Sequence, residues 1–186
     1  MVFRGRSPAN ISPGEPQQNA LLQPGRRYRL VQNLAAIADP VLVQTDEGTV
    51  AFKIESAQRE MMDVLVLRDI EGDIRCFISG FQAQPAAADV LGNDGRLLAR
   101  VSRTPISALR DRFEIAHSSG DVWIAIGDVG SREFTLESPK GEVAEISRRW
   151  FLLPGSYGVE VSPGQDDALV LAVAAAIDQL THDFDP

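Results

Sequence analysis

The feature that most constrains this chain lies near its end. Ala168 to Ile177 reads ALVLAVAAAI, a run without one polar side-chain atom, and it follows a long stretch patterned as strands and turns. As a helix the run rises about 15 Å, roughly half the hydrocarbon thickness of a bilayer, so it is not a membrane span. Leu169, Val170, Leu171, Val173 and Ile177 point in all directions around a helical turn. Such a helix has no polar face to offer water and must be surrounded by protein. A closed sheet can surround it.

The helix carries its own start signal. Ser162, then Pro163, with Gln165 three residues after the serine, predicts a capping box, and Asp166 and Asp167 place carboxylates where the helix dipole favours them. Burial of the larger side chains from Leu169 to Leu180 contributes about 1.5–3 kcal/mol each, together comparable with the net stability of a domain. The helix is therefore the core of the fold rather than an appendage.

Upstream of it the pattern is that of β-structure. From Tyr28 onward, short runs rich in Val, Ile, Leu and Phe are separated by TDEGT (45–49), DIEGD (69–73), GNDGR (92–96), HSSGD (117–121) and SPKGE (138–142). In each, glycine supplies the positive φ that a tight hairpin commonly demands. The runs between these signals predict about twelve strands, near 28–32, 41–45, 49–55, 63–69, 73–79, 87–92, 96–103, 111–117, 121–127, 132–138, 141–149 and 156–162. A sheet that large curls or closes. Val50, Phe52 and Ile54 alternate with polar neighbours, as a wall with one wet face requires, whereas consecutive Val64, Leu65, Val66 and Leu67 predict cover on both faces. Thr104 and Pro105 ahead of ISALRD predict one helical turn, with Thr104 as its cap. Residues 1–24, with Pro8, Pro13, Pro16 and Pro24 and no sustained periodicity, read as a flexible leader outside the domain of residues 25–186.

Charge and cysteine content narrow the setting. Of 186 residues, 26 are acidic and 18 basic, and residues 150–186 hold six of the acids and no Lys or Arg. That excess argues against non-specific nucleic-acid binding. Cys76 is the single cysteine, so no internal disulfide forms, and the first thirty residues hold no secretory apolar run. The expectation is a monomeric cytoplasmic protein, peripheral to a membrane at most.

An apolar helix closing a mainly β, twelve-stranded chain is the arrangement of the tubby C-terminal-like barrel. The likeness is carried by YRLVQNL (28–34), VLVQTDEGTVAFKI (41–54) and its echo LVLRDIEGDIRCFI (65–78), by WIAIGD (123–128) and EVAEISRRW (142–150), and by the ending YGVEVSPGQDDALVLAVAAAIDQL (157–180). On these the chain resembles the LURP-one-related family, itself similar to phospholipid scramblases. The resemblance implies a tubby-like closed barrel around a buried hydrophobic C-terminal helix. Tubby domains bind phosphoinositides through basic strand residues, scramblases are implicated in lipid movement, and many LURP-one-related proteins have no established biochemistry. Against the scramblase pattern, this chain has neither a cysteine-rich region nor a calcium-binding segment before the helix, where only Glu160, Asp166 and Asp167 stand.

The residues that carry chemistry are few. His117 and His182 are the only histidines, neither lies in a nucleophile-elbow pattern, and both read as exposed loop residues. No metal-ligand spacing or cofactor motif is present, and Asp46, Glu47, Asp69, Glu71, Asp73 and Asp94 read as hairpin acids rather than calcium ligands. No catalytic residue, metal site or cofactor is therefore expected. Among the cations, Arg96, Arg100, Arg103, Arg110 and Arg112 crowd one stretch and Arg148 and Arg149 end a later strand. Arginine forks suit phosphate, and the tubby resemblance makes Arg100, Arg103, Arg148 and Arg149 the expected headgroup-binding face. Trp150 and Phe151, leading Leu152 and Leu153, either contact a membrane beside those cations or plug one mouth of the barrel. The reading is a non-catalytic binding module for an anionic lipid surface or a protein partner. Its rivals are a scramblase-like lipid-handling protein and an enzyme with an unrecognised site.

Overall fold

The computed structural model describes residues 25–31, 40–59, 62–80, 86–107, 110–128, 131–150 and 156–182. Twelve strands and one helix follow in chain order: β1 (Arg26–Val31), β2 (Val41–Thr45), β3 (Val50–Arg59), β4 (Met62–Asp69), β5 (Ile74–Ser79), β6 (Ala87–Gly92), β7 (Leu97–Pro105), β8 (Arg110–His117), β9 (Val122–Asp128), β10 (Glu133–Ser138), β11 (Gly141–Ser147), β12 (Ser156–Val161) and α1 (Asp167–His182). Each strand pairs antiparallel with its neighbours in sequence, and β1 pairs with β12, closing the barrel. Closure leaves no unpaired edge along the wall.

The hairpin chemistry explains why the connections at one mouth are so short. Gly48, Gly72, Gly95 and Gly120 sit at φ between 80° and 92°. Each donates its N–H to the residue three positions earlier, Thr45, Asp69, Gly92 and His117 respectively, at 2.9–3.1 Å. This is a tight turn followed by a left-handed residue, a backbone that glycine adopts without strain. The mouth formed by these turns also receives the N-terminus of α1, and the opposite mouth receives its C-terminus.

Inside, α1 is buried on every side: Val170 to Ile177 are all at most 5% exposed, and Leu180 is equally enclosed. Alanine at 172, 174, 175 and 176 keeps the helix slim enough for the ring of inward side chains, among them Leu30, Val43, Leu67, Ile78, Val90, Val101, Phe113, Ile115 and Leu136. Gly127 of the WIAIGD motif faces inward opposite Phe134, and a Cβ there would lie 2.5 Å from the Phe134 ring and 2.0 Å from the Glu133 carbonyl oxygen. That room lets Phe134 meet Phe113 edge to face, with centroids 5.6 Å apart.

Four local expectations are corrected. The helix begins at Asp167, capped by Asp166, whose Oδ1 accepts the Ala168 N–H at 2.9 Å. Ser162 instead opens a turn, because Pro163 and then Gly164 at φ 82° suit its two central positions, and Gln165 N–H donates to the Ser162 carbonyl at 3.3 Å. Thr104 and Pro105 extend β7 rather than start a helix, and Ile106 and Ser107 both donate to the Arg110 carbonyl at 2.9 Å. His117 is not an exposed loop residue: it ends β8, half-buried, with its ring 4.0 Å from that of Trp123. The other histidine, His182, ends α1.

Candidate functional site

The four arginines expected to share a face are spread by the strand periodicity. On β7, Arg100 points outward and is held bidentately by Asp89, at 2.6 and 2.7 Å. Arg103 falls on the parity of Ala99 and Val101 and therefore points into the barrel, its side chain 9% exposed. There it pairs with the enclosed Asp111 at 2.5 Å and donates to the Leu180 carbonyl at 2.8 Å. Arg103 thus neutralises the C-terminal end of the helix dipole from inside the wall, and the single four-arginine face is not formed. Arg148 and Arg149 lie after β11. Arg148 is half-buried and donates its backbone N–H to Glu133, whereas the Arg149 side chain is 79% exposed and 3.6 Å from Glu133. Trp150 is half-buried, with the Arg27 guanidinium 5.1 Å from its ring centroid, so it rests against the outside of the barrel instead of plugging a mouth. Phe151, Leu152 and Leu153 lie outside the described residues.

Reading residues one at a time misses the anchors of α1. At its start, Tyr28 donates its hydroxyl to Asp167 at 2.8 Å. Arg26 Nη2 lies 2.9 Å from the other Asp167 oxygen, an ion-pair contact without hydrogen-bond geometry. Burial raises the Asp167 carboxyl, and Tyr28 and Arg26 pull it back. Burial first, and then the bond to Asp167, push the Tyr28 phenol above its ordinary range. At the far end Arg132, at φ 51°, reaches Asp178 at 2.9 Å. The signal for the Arg103–Asp111 pair was present: Asp111, Phe113 and Ile115 alternate, as do Ala99, Val101 and Arg103.

Among the described residues the helix is packed against the inward side chains of the wall. A void of about 10 Å³ remains beside Arg132, Phe134, Tyr157 and Ile177, room for one water at most. Cys76 is buried, and burial chiefly, with the Asp166 charge, pushes its thiol up to about 11. It stays protonated and unreactive at neutral pH. At the tight-turn mouth a polar hollow of about 560 Å³ opens over Arg26, Tyr28, Phe52, Arg75, Asp166 and Asp167. Among the described residues no group of three or more His, Cys, Asp or Glu could hold a metal ion, and no helix is long and apolar enough to cross a membrane.

The outer wall is divided by charge. On β3–β7, Lys53, Arg59, Arg68, Arg75 and Arg100 alternate with the core residues, against the outward acids Glu55 and Asp89. The same side carries an apolar row in register across four strands, Val66 opposite Phe77, Phe77 opposite Leu91 and Leu91 opposite Leu97. The run at 64–67 is thereby accounted for: Leu65 and Leu67 face the helix, Val64 and Val66 the row. On β8–β12 the outward residues include Glu114, Asp128, Glu133, Glu137, Glu142, Glu145 and Glu160. Two pairs, Glu137 with Glu142 and Glu145 with Glu160, stand directly opposite each other. Partial burial, then Glu142, Glu160 and Glu133, raise the Glu145 carboxyl, and Arg27 partly offsets them.

A closed antiparallel barrel of twelve strands filled by its C-terminal helix is the tubby-like barrel architecture. The family model described as LURP-one-related matches residues 28–178, and the chain belongs to that family. Among solved structures it is similar to the X-ray structure of a protein from Arabidopsis thaliana, AT5G01750, with TM-score 0.62 and 16% identity over 90% of this chain and 96% of that one. At that identity the likeness shows the fold. No curated protein matches the chain.

Proposed function

We propose that this LURP-one-related chain is a non-catalytic binding module that engages a protein partner with the outside of its barrel. The observation that carries the reading is the burial of α1: Val170 to Ile177 are at most 5% exposed and pack against the inward side chains of the wall, which leaves the outside of the barrel for recognition. LURP-one-related is not a known enzyme family, which accords with it. The arginines that would have served an anionic headgroup act otherwise. Arg103 holds the helix end and Arg100 is occupied by Asp89.

A lipid-surface reading rests on one cluster, Arg148 and Arg149 beside Trp150 and Arg27. Glu133, Glu145 and Glu160 lie around it, and their charge repels an anionic bilayer within a Debye length of about 8 Å. Sedimentation with phosphatidylserine-rich vesicles separates the two. The expected result is no pelleting at low salt. Salt-sensitive pelleting that disappears in the Arg148→Gln, Arg149→Gln double variant overturns the protein-partner reading in favour of the membrane.

A further inference from the structure

Resting on the proposed binding-module reading, we propose that the outer face of β4–β7 is a docking groove for an acidic, apolar peptide segment of a protein partner. A wall that meets water on its outside ordinarily shows polar residues there. Here Val66, Phe77, Leu91 and Leu97 form an unbroken row that runs from a buried Val66, 3% exposed, to Leu97, 43% exposed, and Met62, at the end of the same face, is 56% exposed. Beside the row, with Phe77 and Leu91 in its lining, a depression of about 160 Å³ lies between Arg59, Met62, Val64, Phe77, Ser79 and Leu91. That volume accepts one aliphatic or aromatic side chain. A recess of this kind receives a protruding side chain, whereas a membrane-contact surface would itself protrude.

The charge of the occupant follows from Arg59. Its guanidinium lies 4.7 Å from the centroid of the Phe77 ring and has no carboxylate partner among the described residues, while Arg68 and Arg100 on the same face are held by Glu55 and Asp89. An arginine stacked on an aromatic ring keeps its fork free to bind a carboxylate, and the ring holds the fork in place. Arg75 and Arg96, further toward the tight-turn mouth, are likewise paired, with Asp69 at 3.7 Å and Asp94 at 3.4 Å, so Arg59 is the cation beside the recess without a carboxylate among the described residues. A guanidinium held over a ring at the edge of an apolar recess selects a segment of opposite sign. The segment that fits places a Leu, Ile or Phe in the recess and an Asp or Glu on Arg59.

A phage-displayed library of random linear peptides, selected on the intact chain, tests this. The expected enrichment is for a large apolar residue flanked by Asp or Glu. A synthetic peptide of that consensus, followed by fluorescence anisotropy, should bind at least about tenfold more weakly to Arg59→Glu and to Leu97→Asp. Both positions are exposed, so both variants should keep the parent melting temperature. Glu145→Lys, on the opposite side of the barrel, should bind the peptide unchanged. Enrichment of basic peptides, or binding indifferent to both groove variants, overturns the groove while leaving a module that binds elsewhere. The absence of any enrichment overturns it as well. So does Arg59-dependent pelleting with phosphatidylserine-rich vesicles, which would assign the face to lipid, or Arg59-dependent self-association in sedimentation velocity, which would assign it to a second copy.

Discussion

Arg100 and Arg103 stand three residues apart on one strand and occupy opposite faces of one wall. Arg100 forms a bidentate pair with Asp89 on the outside, its side chain 56% exposed. Arg103 forms its pair with Asp111 inside, the two side chains 9% and 2% exposed. The outer pair exchanges hydration for contact at little net gain, because water and salt screen it. The inner pair has lost its water, so each partner depends on the other and on the Leu180 carbonyl that Arg103 also binds. Similar geometry therefore has different consequences: outside, the pair is solvated and its loss costs little, whereas inside it is committed to holding the helix.

The widest test of this contrast is Leu171→Asp, which puts a lone carboxylate beside the barrel's inner wall, where Leu171 is fully buried. The cost of several kcal/mol should abolish the cooperative thermal transition and leave the chain insoluble. A variant that melts cooperatively near the parent temperature would show that the helix does not fill the barrel. Next in size is Arg103→Met, which strands Asp111 and should cost about 3–5 kcal/mol in urea unfolding. The double variant Arg103→Met, Asp111→Leu should recover much of that loss, since it removes the stranded charge along with its partner. Equal losses in the single and double variants would break the argument that the penalty belongs to the stranded charge.

Smaller effects sharpen the comparison. Burial lowers the His117 pKa, partly offset by Asp121, so the folded chain favours the neutral ring and loses stability as pH falls through the ordinary histidine range near 6.5. His117→Phe should flatten that part of the stability curve, and an unchanged acid slope would place the proton elsewhere. Arg100→Ala should leave the urea midpoint close to that of the parent, a loss near that of Arg103→Met being incompatible with the inside–outside distinction. Smallest is Glu145→Gln, which relieves like-charge crowding with Glu160 and should stabilise by about 0.2–1 kcal/mol. The folded carboxyl titrates above its unfolded value, so this gain exists at neutral pH and vanishes as pH falls below the ordinary glutamate range. A gain that persists in acid would point to packing instead of charge.

What could be read from the residues and what could not differ in kind. Strand positions, tight turns and the buried helix follow from local chemistry: apolar alternation, glycine at positive φ, and a helix with no polar face each state their environment within a few residues. Strand periodicity even assigns Arg100 to the outside and Arg103 to the inside, although treating the arginines as one charged cluster obscures it. The boundary at Ser162 was ambiguous because Ser-Pro-Gly-Gln satisfies both a capping box and a turn, and only the Asp166 cap settles which one forms.

The sequence by itself determined that short strands precede a helix that must be enclosed, since Val170 to Ile177 offer water no polar face. Tertiary structure alone decided which charges meet. Asp89 finds Arg100, Asp111 finds Arg103 and Asp178 finds Arg132 only through strand register and the seating of the helix. The outer row of Val66, Phe77, Leu91 and Leu97 likewise joins four separate strands. Register is set by the closure of the whole barrel, a long-range condition that no single stretch of residues contains.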